Sequence, residues 1–334
     1  MSATAAASSW KRRASHAGSW YTDNASVLEK QLTDWLANAS KSSGSNEDNN
    51  DGASDPVVDM RDCGSLKAII SPHAGYRYSG SVAAYSYRLL AQAIDSLSSN
   101  APVRVFILAP SHHYRLNGCA LSSADCLATP LGDLAVDLAT VSALNSAGKF
   151  EILSRNCDEA EHSVEMQLPY VAMATAKLRA SGRFAGVVPI LVGQCSPAQT
   201  AFYADLLAPH LLDPASLFVV SSDFCHWGRR FRYTWRDPDP QRAGEPIWQG
   251  IERLDRLGMR AIESLEAGQF ADYLDNFGNT ICGRKPIALL LSTLAAAGGG
   301  NRWTMRFLRY AQSSKCFSEE DSSVSYAAGA LFSR

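Results

Sequence analysis

Four short apolar, β-branched runs, separated by longer segments with helical spacing, constrain the fold of this chain most strongly. The runs have the length and composition of buried strands and cover residues 66–70, 103–109, 187–192 and 217–220. Apolar residues recur at helical spacing between these runs, over 80–93, 165–179 and 198–212. Strands that alternate with helices predict one α/β domain whose largely parallel central sheet is flanked by helices.

The remaining parts of the chain fit the same single domain. Helical patterns predict further helices at 26–37, 246–267 and 285–297, and 303–331 predicts two strands around a loop at 313–322. Residues 40–65 are mostly small and polar, and such a segment buries too little apolar area to offset its ordering entropy. We therefore expect a flexible N-terminus over 1–14 and a domain over 15–334 with a disordered insertion at about 40–65.

The composition excludes several classes of partner and location. Charged residues make up 19% of the 334 residues and the formal net charge is -2, which gives no broad attraction to a phosphate backbone, so we expect no nucleic acid. The longest apolar candidate, 287–297, is too short to cross a bilayer, so we expect no membrane span. Eight cysteines without a CxxC pair indicate reduced thiols. We expect a cytoplasmic protein, with the nucleus left open as a second compartment.

Polar side chains follow three of the four predicted strands at the point where each strand ends. His73 comes after the first strand, His112 and His113 after the second, and Asp223 with His226 after the fourth. The carboxyl ends of parallel strands meet at one edge of a sheet, so these groups should lie close together. Imidazole is the commonest metal ligand in proteins. The pattern predicts a mononuclear metal site in which His73 and His112 are ligands.

A metal held by two histidines needs a third protein ligand, and the residues alone leave its identity open. Carboxylate or thiolate commonly completes such sites, and the candidates are Asp223, Glu161, Glu165, Cys225 and Cys282. Cys282 lies at a turn before an apolar helix, where a helix N-terminus favours thiolate, although the pattern by itself favours a buried structural cysteine. Asp223 and His226 can act as ligands, as a proton shuttle or as a structural pair.

Other side chains are candidates for the pocket around such a site. Trp20 either lines the pocket mouth or pins the N-terminus to the sheet, and His162 opens a predicted helix with acidic residues near its start. Tyr76 and His113 lie close in sequence to the predicted ligands. Segment 229–233 has a composition suited to phosphate or carboxylate binding, although solvated loop arginines are the simpler explanation; its arginines are Arg229, Arg230 and Arg232.

Short motifs around these residues resemble the Memo family, a family of mediators of receptor-driven cell motility. They span nearly the whole chain and are SHAGSWY at 15–21, PHAGY at 72–76, PSHH at 110–113, EHSVE at 161–165, SSDFCHWG at 221–228, NTICG at 279–283, YAQSS at 310–314 and DSSVSY at 321–326. The resemblance implies a fold shared with the class III extradiol dioxygenases. It also implies that His73, His112 and Cys282 ligate the metal, and that Asp223 and His226 line the same pocket as catalytic groups.

The implied ligands decide which metals and functions to expect. Two histidines and a carboxylate suit Fe2+, whereas a thiolate raises the affinity for Cu+ or zinc, so we expect iron or copper, with zinc less favoured. Such a site predicts a metal-dependent oxidoreductase acting on a small-molecule substrate or dioxygen, with His226 handling protons. The alternative is a non-enzymatic adaptor that binds a phosphorylated receptor peptide or signalling protein in the same cleft, in keeping with the family's role in motility and the cytoskeleton. A zinc hydrolase is disfavoured because no general base like that of an HExxH helix is evident.

Overall fold

Short strands and helices alternate along most of the chain. The computed structural model describes residues 9–41, 64–97, 100–242 and 244–334. The strands are β1 (Lys11–Arg12), β2 (Ser65–Ser71), β3 (Val103–Pro110), β4 (Cys119–Leu121), β5 (Cys126–Leu127), β6 (Leu134–Ala135), β7 (Phe150–Ile152), β8 (Phe184–Val192), β9 (Ser216–Ser221), β10 (His226–Trp227), β11 (Trp303–Gln312) and β12 (Ser323–Ser333). The helices are α1 (Ala25–Lys41), α2 (Tyr76–Asp95), α3 (Leu138–Asn145), α4 (Arg155–Ala160), α5 (His162–Glu165), α6 (Leu168–Ala174), α7 (Ala176–Ala180), α8 (Pro197–Leu212), α9 (Ile247–Glu263), α10 (Ala267–Phe277) and α11 (Arg284–Ala296).

The large sheet has a parallel centre and antiparallel flanks. Within the described ranges its strand order is β10-β12-β2-β9-β3-β8-β4-β7, and β11 pairs with β12 on the outer side. Strands β2, β9, β3 and β8 run parallel, whereas β12 is antiparallel to β2 and β4 is antiparallel to β8. The carboxyl ends of β2, β9 and β3 therefore lie side by side, and the start of β12 lies at the same edge.

The central strands are buried on both faces, which explains their continuous apolar sequences. Every residue of β9 is buried, as are all but one residue in each of β2 and β3. Successive side chains of a strand point to opposite faces, so unbroken burial means that both faces are covered. Helix α2 packs on β2 and β12, while α8 and α11 pack on the strands around β9. The structure confirms the prediction of a single α/β domain with a central sheet flanked by helices.

Two predicted helices are divided in the structure. The segment predicted as a helix over 165–179 begins at the last residue of α5 and continues through two further short helices, α6 and α7. Pro169 lies in the first turn of α6, where it cannot donate to a preceding turn. The predicted helix over 246–267 ends at Glu263. Leu265 has a left-handed φ of 63°, which is incompatible with a helix, and α10 begins after it.

The folded unit extends ahead of the predicted boundary at residue 15, because Lys11 and Arg12 form β1. Arg12 lies in β1, is buried, and pairs with the carboxylates of Asp158 and Glu165 at 2.9 and 2.8 Å. A buried, paired guanidinium holds this segment against the domain, and nothing in the local composition predicts such a partner. Residues 1–8, and 42–63 of the expected insertion, lie outside the described residues. None of the described helices combines the length and apolar character needed to cross a membrane.

Candidate metal centre

The candidate site lies at the carboxyl edge of the sheet, where four chain segments meet. His73 follows β2, His112 follows β3 and Asp223 follows β9. Cys282 comes from the turn that precedes α11. The parallel arrangement of β2, β9 and β3 brings the first three together, as the sequence predicts, whereas Cys282 arrives from a connection whose position the strand pattern does not determine.

His73 is held in one tautomer by its hydrogen-bond partners. Its Nδ1 lies 2.8 Å from Oγ of Ser221, and that hydroxyl donates its only proton to the carbonyl oxygen of Ser163 at 2.7 Å. The hydroxyl must therefore accept from Nδ1–H, which leaves the Nε2 of His73 unprotonated. Burial and the nearby His112 lower the pKa of His73 well below its ordinary value. His73 thus presents a neutral imidazole nitrogen, the form that binds metals.

The thiol of Cys282 faces this nitrogen. Its Sγ lies 3.0 Å from Nε2 of His73 and accepts a hydrogen bond from the backbone N–H of Asp223 at 3.1 Å. Burial and the Asp223 carboxyl raise the pKa of the Cys282 thiol well above its ordinary value. Without a metal, the S–H proton therefore stays on sulfur and points to a nitrogen that has a free lone pair. A metal ion would replace that proton.

Gly283 allows the cysteine turn to approach the strand loop. A Cβ added at Gly283 would lie 2.2 Å from Cβ of Ser222, which real side chains do not tolerate. The Gly283 N–H donates to Oγ of Ser222 at 3.1 Å. The sequence pair Cys282 and Gly283 therefore encodes close packing of this turn against the loop that follows β9.

His112 is oriented by a carboxylate. Its Nδ1 lies 2.9 Å from Oε1 of Glu161, and its backbone N–H donates to Oε2 of the same side chain at 2.6 Å. Burial works to raise the pKa of Glu161, but hydrogen bonds from His112 and from the Ser163 amide outweigh it, and the pKa lies well below its ordinary value. An ionised Glu161 accepts from Nδ1–H and leaves Nε2 of His112 available, the arrangement common in metal-ligating histidines.

His162 lies among the other imidazoles. Its ring stacks on His112 with centroids 4.5 Å apart and contacts the indole of Trp20 at 4.4 Å. Burial, together with His73 and His112, lowers the pKa of His162 to about 2, so the ring is neutral. Its Nδ1 is buried and has no hydrogen-bond partner among the described atoms. A buried ring nitrogen without a partner is costly unless something else satisfies it.

The potential ligand atoms form two groups that share His73. In each group the atoms lie within 4.8 Å of one another; one consists of His73, His112 and His162, and the other of His73, Asp223 and Cys282. The predicted ligands are thus divided, with His112 in the first group and Cys282 in the second. Imidazole, thiol and carboxyl donors suit a transition metal. The buried Nδ1 of His162 lies 3.6 Å from Oε1 of Glu161 but has no hydrogen bond among the described atoms, which is consistent with a metal nearby. The residues present fit a metal ion.

The other candidate ligands have different roles. The Glu161 carboxylate orients His112. The Glu165 carboxylate is within hydrogen-bond distance of the side chains of Arg12, His16 and Tyr21. Cys225 is buried and belongs to neither group. The side-chain types of these residues suit a metal, but their packing is decided by partners that are distant in the chain.

Asp223 and His226 lie beside the two groups. Oδ1 of Asp223 accepts from the backbone N–H groups of His73 and Ala74 at 2.8 and 3.3 Å, and burial raises the pKa of this carboxyl. Nδ1 of His226 lies 2.9 Å from the carbonyl oxygen of Phe224, which can only accept, so Nδ1 carries a proton. The second ring nitrogen of His226 remains for proton exchange.

A cleft of ≈ 1130 Å³ opens over the site. Its lining includes His73, His112, His162, Asp223 and His226, together with Trp20 and Tyr76 from the predicted pocket. Trp20 also accepts a backbone hydrogen bond from the Tyr76 N–H at 2.9 Å, so this aromatic residue both lines the cleft and fixes the N-terminal segment. His113 is exposed and contacts the His162 ring edge-on at 5.7 Å, outside the lining.

The three candidate anion-binding arginines do not act together. Arg230 lines the cleft and lies over the Phe231 ring, with 4.5 Å from its guanidinium carbon to the ring centroid. Arg229 pairs with Glu319 and Glu320 instead. Arg232 is exposed and has a left-handed φ of 56°. Of these three arginines, Arg230 alone lines the cleft.

Several supporting residues were missed from the sequence. Ser221 orients His73, and Gln167 donates to the same hydroxyl at 2.9 Å and to the Pro72 carbonyl oxygen at 3.0 Å. Arg12 donates to the Glu161 carbonyl oxygen at 2.7 Å and so fixes the start of α5. Ser221 could have been suspected, since it stands two residues before Asp223 at a strand end. Gln167 and Arg12 carry no such signal.

Comparisons with known proteins agree with these motifs. A family model described as Memo-like protein matches residues 12–330. Protein MEMO1 of Xenopus tropicalis is 45% identical over 322 residues, covering 96% of this chain and 97% of the relative. Protein MEMO1 of Homo sapiens is 44% identical over 321 residues, with the same two coverages of 96% and 97%. The protein memo-1 homolog of Caenorhabditis elegans is 43% identical over 323 residues, covering 96% and 82%.

One solved structure, of an uncharacterized protein from Escherichia coli K12, covers 78% of this chain and 99% of its own length, with a TM-score of 0.40 and 14% identity. The family model and the relatives both extend over nearly the whole described domain. The candidate ligands His73, His112, His162, Asp223 and Cys282 all lie inside the matched residues. This chain belongs to the Memo-like protein family.

Proposed function

We propose that this protein binds one iron or copper ion at His73 and uses the site for redox chemistry. The observation that carries the proposal is the unprotonated Nε2 of His73, which lies 3.0 Å from the thiol of Cys282. His73 is also the residue that both groups of potential ligands share. A thiol next to a neutral imidazole is a ready pair of ligands once the sulfur proton is displaced.

The donors favour iron and copper for different reasons. The group of His73, Asp223 and Cys282 contains a carboxyl and a thiol: the carboxyl favours Fe2+ and the thiol favours Cu+. The group of three imidazoles suits either metal and also zinc, which we place third because zinc has no redox chemistry of its own.

The chain's own groups would handle orientation and protons. When bound, the metal would supply one-electron chemistry toward a small substrate or dioxygen. His226 has its Nδ1–H fixed on the Phe224 carbonyl oxygen, so its other ring nitrogen can take or give a proton in the cleft. Trp20 lies against the His162 ring, with the ring centroids 4.4 Å apart. The cytoplasmic location stays a prediction.

Metal content tests the proposal. Metal-free protein is reconstituted anaerobically with Fe2+ or Cu+, desalted and measured by elemental analysis. We expect one metal ion per chain in the wild type and none in His73→Ala. The control is His210→Ala, which removes a half-buried imidazole near the end of α8, at the other end of the domain. Oxygen uptake by the loaded protein with a reductant then tests the redox part, and loaded protein without oxygen uptake would refute it.

A second candidate function is peptide binding without turnover. The cleft extends well beyond the ligand groups, to Arg230, Phe231 and the serines Ser313 and Ser314. A guanidinium beside small hydroxyl groups suits a phosphate on a receptor-derived or signalling peptide. This function predicts binding that persists under chelation and that Arg230→Ala weakens, while the exposed Arg232→Ala does not. Loss of peptide binding on chelation would contradict a metal-independent adaptor.

A further inference from the structure

Two cysteines, and no candidate metal ligand, lie near the carboxyl end of β8. Cys119 is the first residue of β4 and Cys195 lies three positions after the last residue of β8. The two thiols are near enough that each shifts the pKa of the other. The two residues are 76 positions apart in the chain, so the fold and not the local sequence creates this pair.

Backbone pairing between two neighbouring segments holds the thiols in place. The antiparallel pairing of β4 and β8 reaches Cys119 opposite Val192. Beyond this pair, the Gly118 N–H donates to the Gln194 carbonyl oxygen at 2.7 Å and the Gly193 N–H donates to the Gly118 carbonyl oxygen at 2.9 Å. The segments leading to the two cysteines therefore run side by side.

A glycine permits this close approach. A Cβ added at Gly193 would lie 2.2 Å from the carbonyl oxygen of Leu116, so a larger residue would push the two segments apart. The two thiols therefore lie at a tightly packed junction between the segments that carry them.

We propose that Cys119 and Cys195 form a peroxide-sensitive thiol pair that closes into a disulfide between β4 and the segment joining β8 to α8. The pair is separate from the candidate metal centre, and the proposal does not depend on metal binding or on the proposed redox function.

The two thiols have different environments, which assigns their roles. Cys119 is 1% exposed, whereas Cys195 is partly exposed and can meet a small oxidant. The hydrogen bond from Cys119 and the positive charge of Lys285 lower the pKa of Cys195 against the effect of burial. Burial raises the pKa of Cys119 well above its ordinary value. Cys195 is therefore the attacking thiol and Cys119 the resolving thiol.

The chemistry balances with hydrogen peroxide as the oxidant. The Cys195 sulfur attacks one peroxide oxygen, an S–O bond forms, the O–O bond breaks, and the departing hydroxide takes up the proton lost by the Cys195 thiol to give water. The Cys119 sulfur then attacks the sulfenic acid, the S–S bond forms, the S–O bond breaks, and the hydroxyl leaves as water with the Cys119 proton. Two electrons pass from the two sulfurs to peroxide.

Peroxide treatment followed by thiol mapping tests the proposal. Reduced full-length protein is treated with equimolar hydrogen peroxide, alkylated, digested and analysed by mass spectrometry without reduction. We expect a linked peptide pair containing Cys119 and Cys195, the loss of two alkylatable thiols, and full recovery of both after reduction. Peroxide that leaves both thiols free, or a disulfide that joins either cysteine to a different partner, would overturn the proposal.

Variants separate the two roles. Cys119→Ala removes the resolving thiol, so a dimedone adduct should accumulate on Cys195, whereas Cys195→Ala should leave Cys119 unreacted. Cys157→Ala, which removes a half-buried thiol on α4, is the matched control and should form the linked peptide as the wild type does. If a variant fails to fold, the thiol mapping of the wild type still tests whether the disulfide forms. A Cys119 that still oxidises in Cys195→Ala would contradict the assigned order.

Discussion

Nε2 of His73 faces Sγ of Cys282 at 3.0 Å, while Nδ1 of the same ring is fixed on Ser221 at 2.8 Å. The two contacts together determine which nitrogen is free and what it faces. The loop after β2, the end of β9 and the turn before α11 are thereby linked, and they place a candidate pair of metal ligands at the edge of the sheet.

Replacing Ser221 by Ala should weaken metal binding by about 10–100-fold, the usual effect of losing a group that orients a ligating histidine. The change removes the acceptor for Nδ1–H of His73 and a partner of Gln167. Competition with a calibrated chelator measures the metal dissociation constant. Ser86→Ala, a buried hydroxyl in α2 that only donates within its own helix, is the control. Equal affinity in the wild type and Ser221→Ala would show that this hydrogen bond does not orient the ligand.

Replacing Glu161 by Gln tests whether His112 takes part. Glu161 accepts from Nδ1 and the backbone N–H of His112, and an amide retains only one accepting oxygen. We expect metal binding to weaken by about 10–100-fold. The control is Glu159→Gln, two residues earlier, where the carboxylate pairs with the exposed Arg13. If the chelator competition gives the same constant for Glu161→Gln as for this control, His112 lies outside the metal site.

The strand positions and three strand-end sites were predictable from the sequence, whereas the orienting groups were not. Buried parallel strands are continuous apolar runs, and their common edge follows from topology, so His73, His112 and Asp223 could be placed together. Strands of two or three residues, such as β4 and β7, are too short for any period to show. Arg12 and Gln167 act through partners far away in the chain, which no local pattern contains.

Replacing Arg12 by Ala should lower the free energy of unfolding by about 3–5 kcal/mol, because it leaves the buried carboxylates of Asp158 and Glu165 without their partner. Urea denaturation of the metal-free protein measures this loss. The neighbouring Arg13→Ala breaks an ion pair whose arginine is exposed and should change little. A similar small effect in both variants would show that the Arg12 network does not hold the N-terminal segment.

Asp255 should make the protein less stable as the pH rises. Burial raises the pKa of this carboxyl from 3.8 to about 6, against hydrogen bonds that include those from Asn279 and Tyr310. Below the unfolded pKa both states are protonated, and between the two values only the unfolded state ionises. The contribution of Asp255 to the free energy of unfolding therefore falls by about 2–3 kcal/mol as the pH rises toward about 6, and it stays low above that pH.

Denaturation at pH 4 and pH 7.5 measures this dependence. Asp255→Asn removes the ionisation, so its free energy of unfolding should fall less than that of the wild type between the two conditions. The exposed Asp272→Asn should follow the wild type. Parallel curves for the wild type and Asp255→Asn would show that Asp255 titrates with an ordinary pKa.

X-ray absorption spectroscopy on protein loaded anaerobically with Fe2+ or Cu+ tests most directly whether His73 and Cys282 hold the same metal ion. The structure predicts a sulfur atom bonded to the metal beside nitrogen ligands in the wild type, the loss of that sulfur in Cys282→Ser, and no bound metal in His73→Ala. A wild-type spectrum with only nitrogen and oxygen neighbours would exclude Cys282 and favour the group of three imidazoles. A metal that stays bound in His73→Ala would contradict the site altogether.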